Sequence, residues 1–123
     1  MAGRRRRRRL SRSGEFERVY REGSSHASRH LVVYAFPRPG GDRSPRLGIS
    51  VGRKLGGAVE RNRVKRLLRE AFWAASDAFP ADYDFVIVAR PALAELPGRG
   101  EGAVEEALRA VLADAGLSGS EAA

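Results

Sequence analysis

Two groups of side chains in this 123-residue sequence have the types and spacing to do chemistry, and both suit a polyanion. The first comprises Arg53, Lys54, Arg61, Asn62, Arg63, Lys65, Arg66 and Arg69. At about 100° per residue on a helix, Asn62, Arg66, Arg69 and Trp73 fall on one side. Arg63 and Lys65 lie towards the flanks of that group, and Arg61 falls close to the edge of the apolar stripe. Each guanidinium offers phosphate a planar two-bond fork. Gly56 and Gly57, next to Arg53 and Lys54, let a loop backbone come close to phosphates. A solvated basic face on an ordinary amphipathic helix is the plain alternative. Like charges stacked at i and i+3 or i+4, with almost no acidic partners, destabilise an isolated helix, so stability alone explains them poorly.

The second group is aromatic. Phe16 and Tyr20 stand one helical turn apart, and Tyr34 shares a strand face with Val32. Rings beside basic groups bind single strands with little sequence preference, because every base has a face to stack. Taken singly, each ring could equally be core, and Phe36 is assigned there. Ser50, on a neighbouring strand, is a weaker candidate for the same surface. No set of residues suits hydrolysis by the protein itself. His26 and His30 have no nucleophile partnership, and Asp82 with Asp84 reads as a solvated turn at a strand start. The sequence therefore offers no catalytic residue and no metal site.

These groups need elements to hold them. Ser13 to Glu22 reads as a short helix with Phe16, Val19 and Tyr20 on one face and Gly23 as its stop. His30 to Phe36 alternates as a strand, with His30, Val32, Tyr34 and Phe36 on one face and Leu31, Val33 and Ala35 on the other. Pro37 to Pro45 is a turn region. Leu47, Ile49 and Val51 mark a strand whose opposite side carries Gly48, Ser50 and Gly52. A long helix is expected over Ala58 to Phe79, its apolar stripe formed by Val64, Leu67, Leu68, Ala71, Phe72 and Ala75. Tyr83 to Arg90 is apolar enough to be central in the sheet. After Pro91 to Gly102, a last helix spans Ala103 to Ala115, with Gly116 as its stop.

The length bounds the whole to one domain: a basic, disordered tail over 1–12, an α+β domain over 13–115 and a flexible end over 116–123. Absence of cysteine excludes disulfides and thiolate chemistry. No apolar run approaches a membrane span, and the Arg4 to Arg9 run does not lead into a secretory signal, so a cytoplasmic protein is expected. The net charge of +8 is unevenly spread. Residues 1–75 hold 20 Lys/Arg against 6 Asp/Glu, whereas 76–123 hold 3 against 9. A concentrated positive charge is the footprint of a polyanion binder. An arginine bias can also follow from a G+C-rich genome, but the placement of the charge cannot.

Gly48-Ile49-Ser50-Val51, Arg53-Lys54, Ala58-Val59, Arg61-Asn62-Arg63 and Lys65-Arg66-Leu67-Leu68-Arg69 together resemble the bacterial ribonuclease P protein family, known for its "RNR" signature. The resemblance extends to Phe16-Glu17-Arg18-Val19-Tyr20, the Tyr34 strand and Asp84 to Arg90, and so runs from about Arg9 to Leu112. It implies an α+β fold, a small mixed sheet with helices packed on it in the order α-β-β-(β)-α-β-α. It further implies a rare left-handed βαβ crossover (ribosomal-protein S5 domain 2-like), which patterning alone would not predict. The implied function is that of the protein component of ribonuclease P, which assists removal of the 5′ leader from precursor tRNA. The comb from Arg53 to Arg69 would bind the catalytic RNA. A cleft of Arg12, Phe16, Tyr20, Val32, Tyr34 and Ser50 would hold the leader. Chemistry and Mg²⁺ are expected on the RNA subunit, with no cofactor on the protein and no obligate protein partner. Three positions depart from the family pattern. Tyr20 stands where phenylalanine is common, Gly57 where asparagine is frequent, and Glu60 interrupts the basic segment. The arginine tail is also longer than usual. A structural RNA-binding protein, such as a ribosome-assembly factor, would share the charge without needing the aromatic cleft. A DNA-binding module would instead read a groove with the Ala58 helix.

Overall fold

The computed structural model describes residues 8–10, 13–37, 45–75, 83–99 and 102–116. Five strands and three α-helices follow one another as β1 (Arg8–Arg9), α1 (Ser13–Glu22), β2 (Ser24–Ala27), β3 (Leu31–Pro37), β4 (Arg46–Val51), α2 (Ala58–Ala74), β5 (Tyr83–Ala89) and α3 (Ala103–Asp114). The sheet order is β1-β4-β5-β3-β2. β4 and β5 are parallel neighbours joined through α2, while β3 runs antiparallel to β5 and to β2. The chain is thus α+β with a mixed sheet, in the element order expected, with β1 added in front.

Strand alternation sorts the side chains into two layers. Leu31, Val33, Ala35, Leu47, Val51, Phe85, Ile87 and Ala89 face the larger core, which α2 and α3 close with Val64, Leu68, Ala71, Phe72, Leu108, Val111 and Leu112. Short 3₁₀ turns over Pro91–Glu95 and Pro97–Arg99 bring Leu93 and Leu96 into the same core. The opposite sheet face carries a smaller cluster of Leu10, Val19 and Val86, with Phe16, Tyr34, Phe36 and Val88 packed against it. Burial of a valine such as Val19 contributes about 1.5–3 kcal/mol. β5 lies at the centre of the sheet, as its apolar composition requires. Among the described residues, no helix is long and apolar enough to cross a membrane.

Several expectations need correction. Within the stretch drawn as a tail over 1–12, Arg8 and Arg9 form β1 and pair with Arg46 and Leu47. Leu10 follows them into the smaller core, its backbone N–H donating to the Leu47 carbonyl at 3.0 Å. Burying Leu10 and completing the β4 edge outweighs the repulsion between neighbouring arginines. Trp73, placed on the outward side of α2, is buried in the larger core and meets Phe72 edge-on at 4.9 Å. There α2 is sandwiched between the sheet and α3, so its buried arc is wider than a single stripe. Asp84 does not belong to a solvated turn: it is 0% exposed. Arg46, its register partner across β4 and β5, donates Nε and Nη2 to its two carboxylate oxygens at 2.9 and 2.8 Å. Helix α2 ends at Ala74. The extension to Phe79, Asp82 and the chain after Gly116 lie outside the described residues.

Candidate nucleic-acid interface

The basic group is built on the turn between β4 and α2. Leu55 is buried and anchors a 3₁₀ turn over Arg53–Leu55, leaving Arg53 and Lys54 exposed. Gly56 has φ +128°, a conformation that only glycine adopts readily, and a Cβ there would also meet the Glu60 side chain at 2.9 Å. Helix α2 then starts with its apolar stripe against the sheet and α3. Asn62, Arg63, Arg66 and Arg69 are exposed, Arg61 and Lys65 half-buried. None of these cations forms an ion pair among the described residues. Positive charge is therefore concentrated on α2, whose acids are the exposed Glu60 and Glu70. Glu60 sits in the first turn, where the helix dipole favours it.

The aromatic group lies on the other face of the sheet. Helix α1 crosses the strands there, and the Phe16 ring rests on Gly48 so closely that a Cβ would lie 2.5 Å from its Cζ. Tyr20 meets Tyr34 edge-on at 4.9 Å, with Phe16 a further 6.4 Å from Tyr20. Tyr20 is 39% exposed. Partial burial raises its phenol pKa, a hydrogen bond from Ser50 works against that, and Tyr34 adds to the rise. Register places Ser50, Val88 and Val32 side by side across β4, β5 and β3. All three are half-buried. The result is a groove with Tyr20 as its wall and a floor of Val32, Val88, Tyr34 and Ser50. Of the six residues expected in this cleft, five come together; Arg12 lies outside the described residues.

Three residues stand at or beside this surface without having been assigned to it from the sequence. Arg90 follows Val86 and Val88 on the same strand face and is exposed beyond the groove floor, its Nη1 donating to the Ser28 carbonyl at 2.9 Å. Its parity with Val86 and Val88 was the available signal. Phe36, assigned to the core, is half-buried on the α1 side, with the Arg18 guanidinium 5.4 Å from its ring centroid. Arg46 ties α1 to the sheet, since its Nη1 donates to Glu15 at 2.9 Å. The two groups are joined by β4, which carries Ser50 on the groove floor and leads directly to Arg53. Among the described residues there is no group of three or more His, Cys, Asp or Glu able to hold a metal ion.

The sequence and fold have counterparts among known proteins. The family model described as Ribonuclease P matches residues 5–115. The ribonuclease P protein component of Halalkalibacterium halodurans is 47% identical over 88 residues, covering 72% of this chain and 73% of that protein. The counterpart in Bacillus pumilus is 40% identical over 90 residues, covering 73% and 75%. Among solved structures, the Staphylococcus aureus RNase P protein superposes with a TM-score of 0.80 at 33% identity, covering 92% of this chain and 99% of that one. The Thermotoga maritima protein gives 0.70 at 32% identity, covering 88% and 94%. With the matched segment taking in β1, the groove, the basic turn and α3, the chain belongs to the ribonuclease P protein family.

Proposed function

We propose that this chain is an RNA-binding subunit that uses two surfaces at once, α2 and its preceding turn for ribonuclease P RNA and the α1 groove for the 5′ leader of precursor tRNA. The observation that carries the reading is the groove itself. The rings of Phe16 and Tyr20 on α1 stand beside a floor of Tyr34, Val32 and Ser50 on the strands, all of them partly open to solvent. Unpaired bases gain about 1–3 kcal/mol each from stacking on such rings, with little dependence on sequence. A duplex cannot present its bases this way, which favours a single strand as occupant.

The comb supplies the second contact. Arg53 and Lys54 project donors from the turn anchored by Leu55, and Arg61, Asn62, Arg63, Lys65, Arg66 and Arg69 from a helix already held by its apolar face, so little further ordering is needed on binding. Their charge lowers the repulsion between two polyanions, the RNA subunit and its substrate. Mg²⁺ on the RNA subunit supplies the phosphodiester chemistry in this reading, and the protein's residues bind and orient. Arg12, placed in the leader cleft by the resemblance, keeps that assignment here as a proposal.

The test is cleavage of a precursor tRNA by ribonuclease P RNA at low Mg²⁺, with and without the protein, using long and very short leaders. Stimulation that is greater for the long leader is expected. Stimulation independent of leader length would remove the groove from the mechanism. Tight RNA binding with no stimulation would favour a structural RNA-binding role.

A further inference from the structure

Helix α1, the wall of the groove, has only 10 residues. A helix that short does not hold its shape or place unaided. Two kinds of attachment hold it to the sheet. One is through apolar and ring contacts, with Val19 packed beside Leu10 and Val86, Phe16 on Gly48 and Tyr20 against Tyr34. The other is ionic and lies in the first turn. Glu15 accepts from Arg46 Nη1 at 2.9 Å, and Arg46 gives Nε and Nη2 to Asp84 at 2.9 and 2.8 Å. Because Arg46 and Asp84 are partners in the β4–β5 register, the sheet holds the guanidinium independently of the helix. Burial works against the charge on Arg46, but its hydrogen bonds to Asp84 and the nearby carboxylates prevail and raise its pKa.

Glu15 is followed directly by Phe16, whose ring lies on Gly48, two residues along β4 from Arg46. We propose that Glu15 is a positioning residue of the leader groove, pinning the first turn of α1 through Arg46 and Asp84 so that Phe16 and Tyr20 stand where bases enter. The inference rests on the leader reading above and deepens it. Glu15 does not meet the RNA itself. Its carboxylate is occupied by Arg46, which also masks a negative charge that would repel a phosphate chain.

The three members of this network differ in what their loss does. Without Glu15, Arg46 keeps both bonds to Asp84, so its guanidinium is not left without a partner. The Arg46 and Glu15 side chains are 15% and 22% exposed, and a pair with this much access to water adds little to global stability. The loss falls on the placement of α1. Removing Asp84 would instead take away the fully buried member of the network, leaving Arg46 with the more exposed Glu15, and damage the fold, which makes it the wrong probe of positioning.

The experiment uses the full chain assembled with ribonuclease P RNA. Affinity for precursor tRNA with a long and with a very short leader is measured for wild type, Glu15→Ala, Glu15→Gln and Tyr20→Ala, alongside each protein's affinity for the RNA subunit. Glu15→Ala is expected to lower the long-to-short affinity ratio by about three- to tenfold. Affinity for the RNA subunit and the urea midpoint should stay near wild type. Glu15→Gln, which keeps an acceptor for Arg46, should retain most of the ratio. An unchanged ratio in Glu15→Ala beside a reduced one in Tyr20→Ala would overturn the positioning role and leave the groove standing. No change in either variant would sink the groove reading and the inference with it. Equal losses for both leaders would make Glu15 merely structural, which also overturns the proposal.

Discussion

Gly48→Ala offers a sharp test of how the groove is built. A Cβ at this position would lie 2.5 Å from Phe16 Cζ and 2.7 Å from Cε2. Carbon atoms in contact settle near 3.5–4.0 Å, so the ring must retreat by about 1 Å. Gly48 does not have a positive φ, so the backbone itself accepts alanine. The atoms in the way belong to the tip of a half-buried side chain that can swing outward. Overpacking of this kind costs about 1–2 kcal/mol. Restricting the unfolded chain returns about 0.4–1 kcal/mol. The net loss of stability should therefore be about 0–1.5 kcal/mol, read from urea unfolding. Displacing a stacking platform by that distance should lower the long-to-short leader affinity ratio about five- to tenfold. Affinity for the RNA subunit should not change. Adding Phe16→Leu should relieve the clash and recover stability without recovering leader affinity, giving a coupling above about 0.5 kcal/mol in the cycle. A loss beyond about 3 kcal/mol, or an unchanged leader ratio, would refute the reasoning that Gly48 exists to seat Phe16.

Other predictions address the remaining surfaces. Asp84→Asn should destabilise the fold by about 2–4 kcal/mol in urea unfolding, because Arg46 loses its buried charged partner and is left with the more exposed Glu15. Arg66→Ala and Arg69→Ala should each leave stability within about 0.5 kcal/mol. Each should also reduce the dependence of log K on log salt for the RNA subunit by about one. Glu60→Gln should tighten binding to the RNA subunit in filter-binding assays, since it removes the one acidic side chain in the first turn of α2. For Tyr20, whose pKa is raised chiefly by burial, the folded state holds the phenol proton more tightly than the unfolded chain. The associated stability is fully present below the ordinary tyrosine pKa of about 10 and is lost as pH rises through the higher folded value. Titration at 295 nm should lose this late-ionising component in Tyr20→Phe.

What could be read from the sequence was what local periodicity controls. The alternation from His30 to Phe36 placed Leu31, Val33 and Ala35 against the larger core and Val32 and Tyr34 on the other face, as found. The stripe from Val64 to Ala75 likewise fixed which side of α2 is free, because one face must pay for its burial against the sheet. The misses share a different cause, since each depends on a neighbour distant in sequence. Trp73 is buried because α2 packs against α3 as well as the sheet. Asp84 looked like a solvated turn because its partner Arg46 comes 38 residues earlier and meets it only through strand register. The pairing of Arg8 and Arg9 with β4 is hidden behind a run of like charge, and only the burial of Leu10 betrays it. Arg90 and the Arg18–Phe36 contact become visible only when α1 is laid across the strands.

On the proposed reading, the leader and the RNA subunit occupy opposite faces of one small sheet. Photocrosslinking from 4-thiouridine placed within the leader of a precursor tRNA in the assembled complex reads this arrangement out. Adducts are predicted in the peptides that carry Phe16 and Tyr20 and Val32 and Tyr34. Adducts confined to the stretch from Arg61 to Arg69, with the α1 and β3 peptides unmodified, would contradict the two-surface arrangement.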